Sequence, residues 1–297
     1  MERFISLFRL GIKYLYRYKR RYAFLFTALV FCFAVVTLIT SVKDGMYDSV
    51  YYSAQSHYAG DIIVSGYDHA STSSWRHLTE NEIRIIRDTA ENSGINPKNT
   101  VLRTTTDGIV FFNGSAVELK YLLGCDWEAE APLFGRMNYA EAPGLFHGED
   151  CIVLSYPGAK QLGAAMGDRI ILEVETRTGQ KNTGSFIVKG IVKDSSIFGY
   201  HKAYISRLAL NNLVTNDAAD CSTIGFFFDD PGSAEQKRKV LQEALSGKLQ
   251  MGPLLYTRDE LDEETAKRWE GKKFLLFTMP VFLSEISDLL NALNILT

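Results

Sequence analysis

Residues Tyr22–Val42 form an uninterrupted run of 21 uncharged side chains, YAFLFTALVFCFAVVTLITSV. As an α-helix this run would be about 31 Å long, matching a hydrocarbon core of roughly 30 Å. Its polar atoms are few: Thr27, Thr37, Thr40 and Ser41 can each bond back to a carbonyl of their own helix. A cleaved signal sequence fits poorly, because the apolar run is too long, about twenty residues precede it, and no small-residue cleavage site follows. A transmembrane helix is therefore expected at 22–42.

Charge orients it. Residues 1–21 hold seven basic side chains and one acidic one, and the remaining chain holds 25 basic and 34 acidic. Lys19-Arg20-Arg21 stands directly before the run, so the positive-inside rule puts the N-terminus in the cytoplasm and everything after Lys43 outside. Before the span, Arg9, Lys13, Arg17 and Arg20 fall on one helical stripe, opposite Phe4, Leu7, Phe8, Ile12 and Leu15. Residues 1–21 thus read as a basic amphipathic helix on the inner membrane surface, with Arg9, Lys13 and Arg17 facing lipid headgroups.

The bulk, 43–270, reads as one extracytoplasmic α+β domain, a mixed sheet with a few helices behind the single N-terminal span. Strands are predicted at Asp61–Ser65, Asp107–Phe112, Ala116–Leu123, Cys151–Leu154, Arg169–Glu175, Ser185–Val192, Lys202–Ile205 and Ser222–Phe228. Asn113-Gly114 marks a two-residue hairpin turn; with Ser115 it is also a glycosylation sequon, for which the turn is the preferred reading. Capping boxes start three helices: Thr79 with Glu82, burying Ile83, Ile86 and Ala90; Ser233 with Gln236, burying Val240, Leu241, Ala244 and Leu245; and Thr257 with Glu260. Asp44–Gln55 extends the span outward as a helical stalk. At the far end Phe274–Leu283 is uncharged but too short to span, and Leu289, Leu290, Ala292, Leu293, Ile295 and Leu296 turn apolar again. Residues 271–297 read as a return toward a missing second transmembrane helix, and the chain as the front part of a longer product.

Catalytic patterns are missing. There is no G-x-x-x-x-G-K-S/T phosphate loop, no G-x-S-x-G elbow and no H-E-x-x-H. The five His (His57, His69, His77, His147, His201) are scattered without ligand spacing. Cys125, Cys151 and Cys221 lie at apolar strands and read as small buried hydrophobes; one disulfide among them is conceivable, and the sequence does not choose a pair. Asp229-Asp230 and Asp259–Glu264 read as solvated turn and helix face. No catalytic, cofactor-binding or metal-ligating residue is assigned, no cofactor is expected, and no basic, aromatic-interleaved surface suggests nucleic acid.

The order of parts, with several motifs, resembles the FtsX/MacB/LolCE-type ABC transporter permeases. Arg9-Leu10-Gly11-Ile12-Lys13-Tyr14-Leu15 with Lys19-Arg20-Arg21 is similar to the family's opening, Asp44-Gly45-Met46 to its exit from the first span, and Gly60-Asp61-Ile62-Ile63-Val64 to its first outer strand. Leu123-Gly124-Cys125-Asp126 resembles the turn after a later strand. Ile152-Val153-Leu154-Ser155, Ala159, Leu162 and Gly167-Asp168-Arg169-Ile170 resemble its central run, followed in order by Val188-Lys189-Gly190-Ile191 and Ala203-Tyr204-Ile205-Ser206. The resemblance implies four spans, a second permease copy, a separate ATP-binding subunit, and transmission of ATP-driven motion to the outer domain in a bacterial inner membrane. It implies a non-enzymatic subunit of the lipoprotein-release or efflux type, with a periplasmic lipoprotein or acceptor protein as partner. In lipoprotein-releasing members a hairpin near Glu175–Thr183 engages an acceptor; here Thr176–Asn182 is short and polar and reads as an ordinary turn. The alternative is a single-span protein with an outer binding or sensing domain.

Overall fold

A computed structural model describes residues 16–68, 75–193, 201–267, 269–279 and 281–284. The expected inner helix before residue 16 and the apolar stretch Leu289–Leu296 lie outside the described residues. Two compact units divide between Ser49 and Val50.

Helix α1, Lys19–Tyr58, runs for 40 residues without interruption, covering residues 22–42, where a span is expected, and continuing past Gln55. Its apolar window is the one described helix long and apolar enough to cross a membrane, and none of that window is covered by protein. Thr27, Thr37 and Thr40 donate to the carbonyls of Ala23, Phe33 and Val36 at 2.8–2.9 Å, so the segment leaves no hydroxyl unsatisfied at those positions.

From Val50 onward the fold is α+β. The strands are β1 (Ile62–Asp68), β2 (Trp75–Arg76), β3 (Asn99–Phe112), β4 (Ser115–Cys125), β5 (Cys151–Ser155), β6 (Arg169–Glu175), β7 (Lys181–Val192), β8 (Lys202–Ser206), β9 (Thr223–Phe227) and β10 (Lys273–Thr278). The helices are α2 (Glu80–Asn92), α3 (Ala131–Phe134), α4 (Tyr156–Leu162), α5 (Arg207–Val214), α6 (Ala234–Leu245) and α7 (Arg258–Ala266). Strand order is β10-β1-β9-β3-β4-β8-β5-β7-β6, with β2 on β1, and β6 pairs back onto β3. The last pairing, Ile109–Phe111 against Glu173–Ile171, closes β3-β4-β8-β5-β7-β6 into a six-stranded barrel.

The long strand β3 serves both halves. Asn99–Arg103 pairs with β9 in the open part of the sheet, and Thr104–Phe112 pairs with β4 in the barrel wall. The barrel core contains Val110, Val117, Leu122, Ile152, Ile170, Leu172 and Val188, packed with Leu162 of α4 and Leu210 and Val214 of α5. A second core lies where α2 and α6 cover the open part: Ile83 and Ile86 meet Leu241, Leu245, Ile224 and Leu276.

Local chemistry accounts for most boundaries. The Thr79 and Thr257 capping boxes form, and Ile83, Ile86 and Ala90 are buried as the 3.6-residue period requires. At the hairpin Asn113 and Gly114 take φ of 47° and 81°, the left-handed pair a two-residue turn demands. The Ser233 box does not form: Asp230 instead accepts from the Gly232 amide in a one-turn 3₁₀ helix, Pro231–Ser233. Val240 is 42% exposed. The inward place on α6 belongs to Arg238, whose Nη1 donates to the carbonyls of Leu255 (2.9 Å) and Leu276 (3.2 Å). Phe274–Thr278 lies in β10, which pairs with β1 from Ile62↔Thr278 to Tyr67↔Lys273. Cys125, Cys151 and Cys221 are buried free thiols, so no disulfide joins them.

Candidate functional site: the clamp at the end of helix α1

The last turn of α1 must leave a helix and enter a sheet within three residues. Ala59 takes the left-handed conformation (φ 64°), a helix-terminating state usually given to Gly. Its methyl costs about 1–2 kcal/mol there, which the surrounding contacts offset. Gly60 and Gly225 make the turn sterically feasible. A Cβ on Gly225 would lie 1.6 Å from the Ala59 carbonyl oxygen, and one on Gly60 would lie 2.9 Å from Gly225 Cα. Strand β9 therefore passes backbone to backbone beneath the helix end, with the Asp61 amide donating to Phe226 O at 2.8 Å.

Two buried charged side chains hold this end. Arg103, the last β3 residue paired with β9 and 1% exposed, donates through Nη1 to the carbonyls of Ser56 and His57, both at 2.7 Å. These are terminal carbonyls that the helix itself leaves unpaired, and a cation there also meets the negative end of the helix dipole. The guanidinium also ion-pairs with Glu130, itself fully buried, Nε lying 3.0 Å from Oε2. Burial alone would push the Arg103 pKa down; Glu130 more than reverses this, so the side chain stays charged. Arg103 thus ties α1 to β3 and to the start of α3.

Asp61 is the second brace. Its carboxylate accepts from Tyr51 Oη (3.0 Å), Gln55 Nε2 (2.7 Å) and the Phe228 amide (2.8 Å), joining two turns of α1 to the end of β9. His57 is buried against Tyr58 and Tyr121 at 4.7 and 4.6 Å between ring centres. Burial, then Lys202 and Arg103, hold its pKa well below the usual imidazole range. On the other side the Tyr58 ring stacks on Phe282 at 3.7 Å, and Ala54 packs with Ile63, Leu275, Phe277 and Val281. The chain entering at α1 and the chain leaving through β10 share this apolar layer.

The chemistry here is mechanical. Among the described residues no group of three metal-ligating side chains converges. Burial pushes the Cys221 thiol up to about 12, the Cys151 thiol up to about 11 and the Cys125 thiol well above its usual range, away from nucleophilic thiolates. Two of the scattered histidines, His57 and His77, are buried; His77 pairs with Asp220 at 3.0 Å. Arg103 and Glu130, 27 residues apart, carry no local sequence signal. Gly225, a lone Gly in Thr-Ile-Gly-Phe-Phe, carries a weak one for a close backbone approach.

The profile of the MacB-like periplasmic core domain matches residues 23–242, from the apolar run of α1 through Asp61, Arg103, Glu130 and Gly225. The chain belongs to this family. It is a MacB/FtsX-type ABC transporter permease domain, and families of this type imply an ABC ATPase partner and dimerisation. Two solved structures are similar to it. The extracellular domain of the noncanonic ABC-type transporter YknZ from Gram-positive bacteria is 11% identical, with 71% of this chain and 98% of that chain covered and a TM-score of 0.42. The periplasmic region of MacB from Actinobacillus actinomycetemcomitans is 13% identical, with 78% and 95% covered and a TM-score of 0.41. The family match carries the assignment. A comparison with curated proteins returns no match. The matched range stops before α7 and β10, which nonetheless complete the apolar layer under the end of α1.

Proposed function

We propose that this chain is a permease subunit of an ABC transporter of the lipoprotein-release or efflux type. It takes ATP-driven motion from a separate ATPase and delivers it, through α1, to an outer domain. One observation carries the reading: α1 continues unbroken from an uncovered apolar segment into a buried clamp of charged side chains. A displacement of the helix end would be shared with β3 and α3 through Arg103, and with β9 through Asp61 and the Gly60–Gly225 contact.

In this reading residues 22–42 span the bacterial inner membrane, with Lys19–Arg21 on the cytoplasmic side and 43–270 outside. A second copy or a sibling permease completes the transporter, and lipoprotein or another outer partner receives the motion. The clamp works by differential stability: two positions of α1, favoured by two nucleotide states elsewhere, have different energies in the joint.

The test is isolation of the full chain from native membranes in mild detergent. An ATP-hydrolysing subunit should co-purify, and Glu130→Gln should change its ATPase rate while leaving the complex assembled. Isolation without any ATP-hydrolysing subunit would overturn the proposal in favour of a single-span binding or sensing protein.

A further inference from the structure

Among the described residues one wall of the barrel is left uncovered, and its composition is specific. Val110 of β3, Val117 of β4 and Leu172 of β6 point into the core, so their neighbours point outward. Outside, Phe111 lies beside Ile171 in register and is 36% exposed, with Ile171 51% exposed. One outward row along, Ile109 sits between Glu118 on β4 and Glu173 on β6. The ladder then slips between Thr106 and Gly108, a bulge that adds one residue to β4, where Lys120 and Tyr121 stand opposite Asp107. Beside it lies a groove of about 140 Å³, lined by Gly108, Ile109 and the backbone side of Val174. Its rim is Asp107, Glu118, Glu173 and Glu175, with a single basic group, Lys181, bonded to Glu173 at 2.6 Å.

We propose that this wall docks a basic, aliphatic segment of a protein partner. Charge selects the occupant. Four carboxylates against one ammonium disfavour anionic lipid headgroups. They also disfavour a second copy of this chain, whose residues beyond 21 hold 34 acidic against 25 basic side chains. Shape selects the rest: Phe111, Ile171 and Ile109 form an apolar stripe for aliphatic side chains, and the groove beside it takes a lysine or arginine whose stem lies on Ile109 and whose head reaches the rim. The partner's cation displaces exposed Lys181 from Glu173. The proposal does not depend on the transport reading, because it rests on this wall alone.

The experiment uses the full chain in nanodiscs of zwitterionic lipid, with empty nanodiscs subtracted. The probe is a fluorescein-labelled 12-residue peptide of alternating lysine and leucine, read by anisotropy at 0.15 M salt. Lysine/serine and glutamate/leucine peptides should bind at least tenfold more weakly. The double variants Phe111→Ser/Ile171→Ser and Glu118→Lys/Glu173→Lys should each weaken binding at least tenfold. These side chains point away from the barrel core, so both variants should keep the native circular dichroism spectrum. Asp229→Lys/Asp230→Lys, an acidic pair outside the wall, should bind like the parent. Equal weakening by that pair would show diffuse attraction and overturn the proposal. Unchanged binding by either wall variant, or a lysine/serine peptide as tight as the probe, would overturn it as well.

Discussion

Replacing Gly225 by alanine adds one methyl group where there is no room. The new Cβ would start 1.6 Å from the Ala59 carbonyl oxygen and 2.7 Å from the Ala59 carbonyl carbon, and it must reach at least 3.0 Å. Both obstacles are backbone, so no side chain can swing aside. Either β9 leaves its places between β1 and β3, or the end of α1 lifts. Lifting the helix end stretches the two 2.7 Å bonds from Arg103 to the Ser56 and His57 carbonyls. Overpacking a tight site costs typically about 1–3 kcal/mol, and each hydrogen bond to a charged group about 1.5–3. The expected loss is roughly 4–9 kcal/mol if both bonds are lost, a large part of the 5–15 kcal/mol available to a typical domain. Gly247→Ala is the control, because nothing lies within 4 Å of its Cβ and its φ is not left-handed; it should stay within about 0.5 kcal/mol. Urea unfolding of the full chain in detergent, followed by the fluorescence of Trp75, Trp127 and Trp269, reads both. A Gly225→Ala midpoint indistinguishable from that of Gly247→Ala would refute the claim that helix and strand meet backbone to backbone.

Other consequences are as direct. Arg103→Met or Glu130→Gln alone should cost about 3–5 kcal/mol by leaving one buried polar partner uncompensated; the double variant should cost less than the sum, and additive losses in the same urea assay would contradict the pairing. His77 has its pKa pushed down to about 4 by burial, then by Lys272 and Arg177. The unfolded chain therefore binds more protons, and stability is lost as pH falls from about 6.5 towards 4, a change that His57 reinforces. The raised pKa of Asp220 acts in the opposite sense near its ordinary value of 3.8. His77→Gln should flatten the loss between pH 7 and 5, and an unchanged pH dependence would show that His77 does not carry it. A charge at the centre of the apolar run, Val35→Arg, should cost about 2.5–3.5 kcal/mol of insertion and lower the fraction resisting carbonate extraction; full resistance would contradict spanning at 22–42.

How much of this was legible in the sequence depends on how local the cause is. The predicted strand Arg169–Glu175 appears with those bounds because its residues alternate between core and solvent. Strand β3 begins eight residues earlier than predicted. Asn99–Thr106 is rich in Thr and holds Arg103, so it lacks alternating apolar residues, and tertiary pairing with β9 decides it. The run Phe274–Thr278 shows the opposite ambiguity: a strand buried on both faces and a segment approaching lipid are both continuous and uncharged. Helix α6 is rotated from its expected phase because Arg238 reaches carbonyls on two other elements, which no periodicity encodes. The clamp was hidden for the same reason. Arg103, Glu130 and Gly225 matter through contacts spanning 27 to over 160 residues, whereas Asp61 stood in a motif legible as the first outer strand.

The account stands on helix α1 passing motion into the sheet through its last turn. Hydrogen exchange of the amides from Ser56 to Val64 and of Phe228 tests this, measured on the membrane complex with its ATP-hydrolysing subunit, without nucleotide and with ATP plus vanadate. The account predicts a nucleotide-dependent change in protection across Ser56–Asp61 and at Phe228, whose amide bonds Asp61, and loss of that change in Glu130→Gln. Identical protection in both nucleotide states, in a complex that still hydrolyses ATP, would contradict it.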